Sequence, residues 1–217
     1  VQVGIDASGL EARLLANRMA KWDSGEYGEL VVNGDIHTHN QKQAGLGNRN
    51  DAKTFFYALI YGAGNKKIGD IIGKGIGAGS ALKKRFLDNM PALKKLIEAC
   101  EFQASKKGTL TLLDGREVPC RSTHSSLNVQ IQGDGAVIMK LALAIFYKAI
   151  HDNPKFRDKA RFMATIHDEW QLECSPDIAD DIGSLGIDAI RSAGKRLECV
   201  VPMDGEYRVG SNWSECH

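Results

Sequence analysis

The chain has 217 residues, 43% of them hydrophobic, and its 28 basic and 27 acidic residues nearly balance. This length allows one large domain or two small ones with a real core. Without a basic excess, any contact with nucleic acid must come from local patches. No window approaches the roughly 18 apolar residues of a membrane span, and no signal peptide opens the chain. We therefore expect no membrane partner.

Five cysteines are scattered along the chain without a CxxC pair. This pattern indicates reduced thiols in a cytoplasmic compartment rather than a disulfide framework or a zinc site. Because the first residue is Val1 rather than Met, we expect the chain to be part of something longer.

The first 35 residues predict one strand, one helix and a loop. The β-branched run VQVGI (1–5) is typical of a buried strand, and Asp6 follows at its end. Apolar residues at helical spacing predict a helix over residues 8–19. We expect residues 23–35 to form a loop that contains a short strand, ELVVN.

The middle of the chain predicts helices separated by a flexible connection. Asn48 can cap a helix that begins near Arg49. The glycine-dense residues 69–80 predict a flexible connection. A helix or helix pair is expected over residues 80–106, with Pro91 marking a break or a new start.

The last hundred residues predict hairpins and two long helices. The Asp114–Gly115 turn between short strands is a hairpin signal, and residues 125–150 carry a long amphipathic helical pattern. The remaining predicted elements are a strand–turn–strand unit (161–174), a helix (177–196) and a last strand (198–203).

Together these elements predict an α+β fold. One antiparallel sheet would contain the N-terminal strand, the hairpin at 161–174 and the strand at 198–203. A mainly helical subdomain over residues 35–120 would lie to one side.

The segment RNDAKTFFYALIYG (49–62) is the most informative stretch. Its residues Arg49, Lys53, Tyr57 and Tyr61 recur every four positions, which places them along one slowly turning stripe of a helix. Cations in the first half of a helix oppose its dipole, so helix stability does not explain them. Positive charge followed by aromatic rings suits a polyphosphate attached to a flat ring, and a nucleoside triphosphate is the obvious candidate.

Asp6 and Asp168 each end an apolar strand, where burial of an unpaired charge costs roughly several kcal/mol. Two Mg²⁺ ions about 4 Å apart would satisfy both carboxylates and support in-line phosphoryl transfer. Magnesium favours few protein carboxylates supplemented by phosphate oxygens. Either aspartate alone is more simply a cap or a turn residue, and it is their combination with the Arg49 helix that predicts a metal site.

Three ordered motifs resemble those of family A DNA polymerases. DASGLEARLLA (6–16), RNDAKTFFYALIYG (49–62) and HDE (167–169) match the family's motifs A, B and C. NGDIHT (33–38) and the terminal NWSECH match the phage form. From Val1 to His217 the chain therefore resembles the C-terminal polymerase region of this family, most of all its T7-like phage replicative branch.

The resemblance implies a domain organisation and a reaction. Residues 1–34 and 121–217 would form the palm and residues 35–120 the fingers, while the thumb and exonuclease would be absent and supplied by another polypeptide or region. The reaction would be template-directed transfer of a nucleotide from a dNTP to a primer 3′-hydroxyl with two Mg²⁺ ions. Primer–template DNA and dNTPs would be partners, in the cytoplasm of an infected bacterial host.

The resemblance also implies roles at the reaction centre. Asp6 and Asp168 would bind both metals together with the carbonyl oxygen of Ala7, and Glu169 would sit beside them. Glu11 resembles the steric gate that excludes a ribose 2′-hydroxyl.

Nucleotide contacts are implied mainly for the Arg49 helix. Arg49 and Lys53 would hold the triphosphate, with His37 reaching the phosphates and Lys53 donating a proton to the leaving pyrophosphate. Tyr57 would lie against the incoming base and sugar. Tyr61 would stack near the templating position and could pair with Glu11.

DNA contacts are implied at four positions. Asn128 and Gln132, at i and i+4 of a helix, would touch the minor groove, where every base pair offers N3 or O2 acceptors. His167 would contact the primer terminus. Arg121 lies on a polar stretch that could touch the nucleic-acid backbone or the bound nucleotide.

Two alternatives stay open at this stage. A single-subunit RNA polymerase shares the Lys-to-Tyr-Gly spacing and two aspartates, but Glu11 and Glu169 argue against it. A noncatalytic or partner-dependent fragment of a split polymerase is the other, although Asp6, Lys53 and Asp168 are all present. Without a thumb, the isolated chain is expected to bind primer–template weakly and extend it poorly.

Overall fold

The computed structural model describes all 217 residues and confirms the α+β class, with a four-stranded antiparallel sheet, a two-stranded hairpin and ten α-helices. By internal contacts the chain divides into two compact units. The first unit comprises Val1–Leu14 and Asp134–His217, and the second comprises Leu15–Gly133.

The strands are β1 (Gln2–Ala7), β2 (Thr109–Thr111), β3 (Glu117–Pro119), β4 (Ala160–Ile166), β5 (Glu169–Cys174) and β6 (Gly205–Gly210). The helices are α1 (Leu10–Asp23), α2 (Glu26–Asn33), α3 (Ile36–Ala44), α4 (Arg49–Ile60), α5 (Asn65–Ile71), α6 (Ile76–Asn89), α7 (Pro91–Lys107), α8 (Ser126–Asp152), α9 (Ala179–Arg196) and α10 (Trp213–Cys216).

The first unit is built on the sheet β4-β5-β1-β6, in which all neighbours are antiparallel. Ile5 of β1 is fully buried. A side chain at Gly186 of α9 would collide with Ile5, so the glycine permits close packing of this helix on the sheet. The Phe146 ring stacks on Trp170 at 5.4 Å between centroids. This packing fixes the strands that carry the predicted carboxylates.

The prediction of a last strand over residues 198–203 is wrong, because the strand that pairs with β1 is Gly205–Gly210. Glu198 has a φ of 53°, and the Cys199 amide donates to the Gly194 carbonyl, so this segment ends α9 instead. Pro202 lacks the amide that a ladder needs. Val201 is buried in a loop, which explains why the sequence looks strand-like.

In the second unit, the segment 23–35 contains helix α2 (Glu26–Asn33) rather than a loop with a strand, so that prediction is wrong as well. The Asp23 carboxylate accepts hydrogen bonds from the Gly25 and Tyr27 amides and starts the helix. The buried Tyr27 hydroxyl bonds to Asn40 of α3. The burial of Tyr27 against α3 therefore outweighs the β preference of Val31 and Val32.

The glycine-dense segment 69–80 is also helical rather than a flexible connection, since it contains the end of α5 and the start of α6. A side chain on Gly79 would collide with the Asn65 carbonyl, and one on Gly69 with the Gly75 carbonyl. These glycines therefore allow the two helices to approach closely.

Other local predictions are confirmed. The Asn48 side chain caps α4 by accepting from the Asn50 amide. Pro91 begins α7, and β2 pairs with β3 around Asp114–Gly115. All five cysteines are free.

One helical stretch, Thr123–Asp152, is long and apolar enough to cross a membrane, although half of its most apolar window is buried. The expectation that no such window exists is therefore wrong. Ile138, Ala142 and Phe146 of this stretch are fully buried, which is typical of a core helix, and core helices satisfy the same criterion of length and composition.

Candidate active site

The first unit brings Asp6 and Asp168 to neighbouring positions of the sheet. Asp6 of β1 lies opposite Glu169 of β5, and the Ala7 amide donates to the Asp168 carbonyl oxygen at 3.0 Å. Asp168 follows His167 in the turn between β4 and β5, where His167 has a φ of 53°. Antiparallel pairing thus makes neighbours of two acids that are far apart in the sequence.

The carboxylates of this site repel one another. The pKa of Asp6 is raised to about 6, first by burial and then by Asp168, Glu169 and Glu206. The pKa of Asp168 is raised above its ordinary value, first by burial and then by Glu11 and Glu169. A cluster in which the charged forms are disfavoured in this way is stabilised by a bound cation.

Glu169 is held by the end of the chain. It is 5% exposed and accepts hydrogen bonds from the side-chain Nε2 of Gln171 and from Trp213 Nε1, the latter at 3.3 Å. His217 Nδ1 lies 2.8 Å from its other oxygen. A side chain at Gly4 would collide with the Cys216 carbonyl, so the glycine lets this terminal segment lie against β1. Glu169 is therefore fixed at the edge of the carboxylate pair.

The donor set fits a hard divalent cation. Asp6 and Asp168 supply carboxylate oxygens, the ligands that Mg²⁺ prefers. No group of three or more His, Cys, Asp or Glu residues is arranged to hold a metal. Further ligands would have to come from the backbone, as predicted for the Ala7 carbonyl, from water and from substrate phosphates, which is how Mg²⁺ is commonly bound.

In the second unit, Arg49 is paired with an acid that sequence reasoning missed. Its Nε and Nη2 donate to the two carboxylate oxygens of Asp35 at 3.0 and 2.9 Å. Asp35 also caps α3 by accepting from the His37 and Thr38 amides. Hydrogen bonds from Arg49 and Thr38 hold the pKa of Asp35 well below its usual range. The pair is exposed to solvent.

His37 of α3 and Tyr57 of α4 come together, with ring centroids 6.1 Å apart. The pKa of His37 is lowered, first by burial and then by the nearby charges of Arg49 and Lys53. Its Nδ1 atom is buried without a hydrogen-bond partner. The second unit thus brings an imidazole close to two cations and an aromatic ring.

The other predicted residues lie in three places. Tyr61 directly follows α4 and is 49% exposed. Arg121 and Gln132 are exposed, and the Oδ1 atom of Asn128, near the start of α8, is buried without a hydrogen-bond partner. In the first unit, Glu11 is half-buried and His167 is exposed.

Sequence reasoning missed several residues of the site although it quoted the motifs that contain them. Asp35 lies within NGDIHT, and Trp213 and His217 lie within NWSECH. Nothing local shows that the chain end returns to β5, because that contact depends on the register of the sheet. Gln171, two residues after Glu169 on the same strand face, could have been found from period-2 alternation.

The first unit contains a pair of carboxylates on an antiparallel sheet. Comparison with known proteins identifies the family to which the chain belongs. The model of DNA polymerase family A matches residues 2–215. The chain therefore belongs to DNA polymerase family A, and the match decides against the single-subunit RNA polymerase alternative.

The chain is similar to the DNA-directed DNA polymerases of two phages. It is 40% identical over 235 residues to the DNA-directed DNA polymerase of Enterobacteria phage T3, covering 100% of this chain and 33% of that protein. The identity and coverage are the same for the DNA-directed DNA polymerase of Escherichia phage T7. Identity to DNA polymerase I of Aquifex aeolicus is 27%, covering 76% of this chain and 29% of that protein. The chain thus spans about a third of the length of these two phage polymerases.

A solved structure has the same fold. The POL domain of Pol1 from M. smegmatis, in complex with DNA primer-template and dNTP, superposes with a TM-score of 0.84 at 20% identity. The match covers 99% of this chain and 40% of that one. At this identity the likeness shows the fold alone.

Proposed function

We propose that this chain catalyses template-directed DNA synthesis as part of a family A DNA polymerase, transferring a nucleotide from a dNTP to a primer 3′-hydroxyl. The observation that carries the proposal is the juxtaposition of Asp6 and Asp168 in a chain that matches the family over residues 2–215. The fold of the M. smegmatis POL domain supports it.

Asp6 and Asp168, with the Ala7 carbonyl, would hold two Mg²⁺ ions, which when bound activate the primer hydroxyl and stabilise charge on the phosphates. The chain's own residues prepare this site. Repulsion among Asp6, Asp168 and Glu169 raises the affinity for a cation. Contacts to the chain end hold Glu169 beside the pair, where it supports the metal ligands.

The exposed cations of the second unit would bind the triphosphate. Arg49 already makes a bidentate contact to a carboxylate, the geometry that it would use for a phosphate. His37, with its unpartnered Nδ1, would add a phosphate contact. Lys53 would bind the phosphates and donate a proton to the leaving pyrophosphate.

Sugar and base selection would rest on an acid and two aromatic residues. Tyr57 would lie against the incoming base and sugar, and Tyr61 would stack near the templating position. Glu11 would crowd a ribose 2′-hydroxyl, and Tyr61 would pair with it. Bases can be held this way without sequence preference because every base offers a π face.

DNA would be contacted without sequence specificity. Asn128 and Gln132, one helical turn apart on α8, would donate to minor-groove acceptors that all base pairs share. His167 would meet the primer terminus, and Arg121 would contact a phosphate of the backbone.

In this assignment residues 1–34 and 121–217 act as palm and residues 35–120 as fingers. Further regions would supply the thumb and exonuclease, and the enzyme would act in the cytoplasm of an infected bacterium. A second candidate is a partner-dependent portion of a split polymerase.

The test is primer extension by the natural polypeptide that contains this chain, on a template of defined sequence. We expect Mg²⁺-dependent products that follow the template, and their loss in Asp168→Asn. Absence of any template-directed product from the folded wild-type protein would refute the proposal. Activity that appears only after a second polypeptide is added would favour the split-enzyme candidate.

A further inference from the structure

Arg13 of α1 joins the turn after β1 to the segment before β6. Its Nε donates to the Ser8 carbonyl oxygen at 2.8 Å, and its Nη1 donates to the Pro202 carbonyl oxygen at 2.5 Å. A planar guanidinium can serve two acceptors at fixed directions, which a lysine ammonium on a flexible stem cannot reproduce. One side chain therefore sets the distance between two backbone segments.

The segment before β6 is itself fixed. The Asp204 carboxylate accepts hydrogen bonds from the Gly205 amide at 3.0 Å and from Arg191 Nε at 2.8 Å. The backbone carbonyl oxygen of Asp204 accepts a hydrogen bond from the Ser8 amide at 3.0 Å. A side chain at Gly205 would lie 2.8 Å from the Asp6 carbonyl oxygen, so only glycine fits there. The backbone at Asp6 therefore packs closely against the backbone of Gly205, which Asp204 and its hydrogen bonds hold in place.

The opposite side of the same backbone is held by the β4–β5 turn, since the Ala7 amide donates to the Asp168 carbonyl oxygen at 3.0 Å. The peptides of Ala7 and Ser8 thus lie between Asp168 and Asp204. Arg13 holds the Ser8 carbonyl oxygen at the end of this segment. A carbonyl ligand cannot adjust by rotating a side chain, so its direction depends on the peptide planes around it.

We propose that Arg13 is a positioning residue, which sets the backbone of Ala7 and Ser8 so that Asp6 and the Ala7 carbonyl can bind a divalent cation. This inference rests on the proposed function. Both of these Arg13 hydrogen bonds go to backbone carbonyl oxygens, so Arg13 would act through the backbone rather than as a metal ligand. Asp204 and Arg191 support the same arrangement from the β6 side.

The test compares Arg13→Met, which removes both hydrogen bonds, with Arg13→Lys and with Arg196→Met, an exposed arginine at the end of α9. Binding of Mn²⁺ is measured by electron paramagnetic resonance, and primer extension by steady-state kinetics, both on the natural polypeptide. Arg13→Met should weaken Mn²⁺ binding and lower kcat about tenfold or more, the usual cost of losing a group that orients metal ligands.

KM for dNTP should change less than about threefold, because the nucleotide contacts proposed for α4 are untouched. Arg13→Lys should fall between wild type and Arg13→Met, and Arg196→Met should equal wild type. Mn²⁺ affinity in Arg13→Met equal to that of Arg196→Met would overturn the inference. If Arg13→Met does not fold, wild-type Mn²⁺ affinity in Arg13→Lys would overturn it equally. A wild-type protein that binds Mn²⁺ but extends no primer would refute the proposed function alone, and the Mn²⁺ series would still decide the role of Arg13.

Discussion

The two units hold their charged side chains in opposite ways. In the first unit, Asp6 and Asp168 are half-buried, fixed by a sheet ladder and repelled by each other. In the second unit, Arg49 and Asp35 are exposed and satisfy one another. The first arrangement is preformed, disfavours the charged carboxylates and would be relieved by a bound cation. The second is a solvent-exposed ion pair, which contributes little to stability and in which a phosphate would replace the Asp35 carboxylate under the proposed function.

The largest effect is expected from Asp6→Asn in the first unit. Loss of one charged ligand from a two-carboxylate site should lower kcat for primer extension by about 10³-fold or more, as expected when transition-state charge stabilisation is removed. The protein should stay folded, since a repelled charge disappears. Asp158→Asn, an exposed aspartate in the same unit, is the matched control. Activity within tenfold of wild type would exclude Asp6 as a metal ligand.

On the helical side, Lys53→Ala should lower kcat/KM for dNTP by about 10²-fold, because both a phosphate contact and the proposed proton donor are lost. The midpoint of thermal unfolding should move by less than about 2 °C, since the side chain is exposed. Lys67→Ala, an exposed lysine on α5, serves as control. An equal loss of activity in both variants would point to general electrostatic attraction instead.

Tyr57→Phe removes a single hydroxyl group from the second unit. We expect ready incorporation of dideoxynucleotides by the wild-type enzyme, because the Tyr57 hydroxyl can replace the interaction of the missing 3′-hydroxyl near the charged phosphates. Loss of one hydrogen bond to a charged group should reduce dideoxynucleotide incorporation about 10- to 100-fold relative to dNTP. Competition between the two nucleotides on one template measures the ratio. The same ratio in both proteins would contradict the role of Tyr57.

How far the sequence predicts the molecule depends on the range of the interactions involved. Local signals found α4 with its Asn48 cap, the Asp114–Gly115 hairpin and the start of α7 at Pro91, because capping and turn chemistry act within a few residues. The glycine-dense segment 69–80 was predicted wrongly because the role of Gly79 is to admit a neighbouring backbone, which the sequence does not show. Glycine alone favours flexibility and close packing equally.

In the candidate site, too, local features could be predicted and long-range contacts could not. The proximity of Asp6 and Asp168 could be predicted because both lie at the ends of apolar runs that the sequence assigns to one antiparallel sheet. The pairing of Arg49 with Asp35 and of Glu169 with His217 could not, since these contacts link residues 14 and 48 positions apart through the tertiary fold. The strand at 205–210 was missed because a buried loop at Val201 imitates a strand in composition.

The pH dependence of stability tests the proposition that the carboxylate site costs free energy. The pKa of Asp6 is raised from 3.8 to about 6 on folding, so the folded state binds the proton more tightly than the unfolded state. The contribution of this group to stability is therefore highest at low pH, falls as the pH rises from about 4 to about 6, and stays low above that range. Allowing for partial exposure, the loss should be about 1–2 kcal/mol.

Asp6→Asn removes this titration, so without divalent cations it should be more stable than wild type at pH 7.5 and nearly equal to it at pH 4. Urea unfolding of both proteins in EDTA measures the difference, in which the titration of all other groups largely cancels. Added Mg²⁺ should stabilise wild type more than Asp6→Asn, because the cation replaces the proton as the partner of the carboxylate pair. A stability difference that does not change between pH 4 and pH 7.5 would show that the pKa of Asp6 is not raised by folding. The carboxylate site would then cost no stability, and the contrast between the two units would not hold.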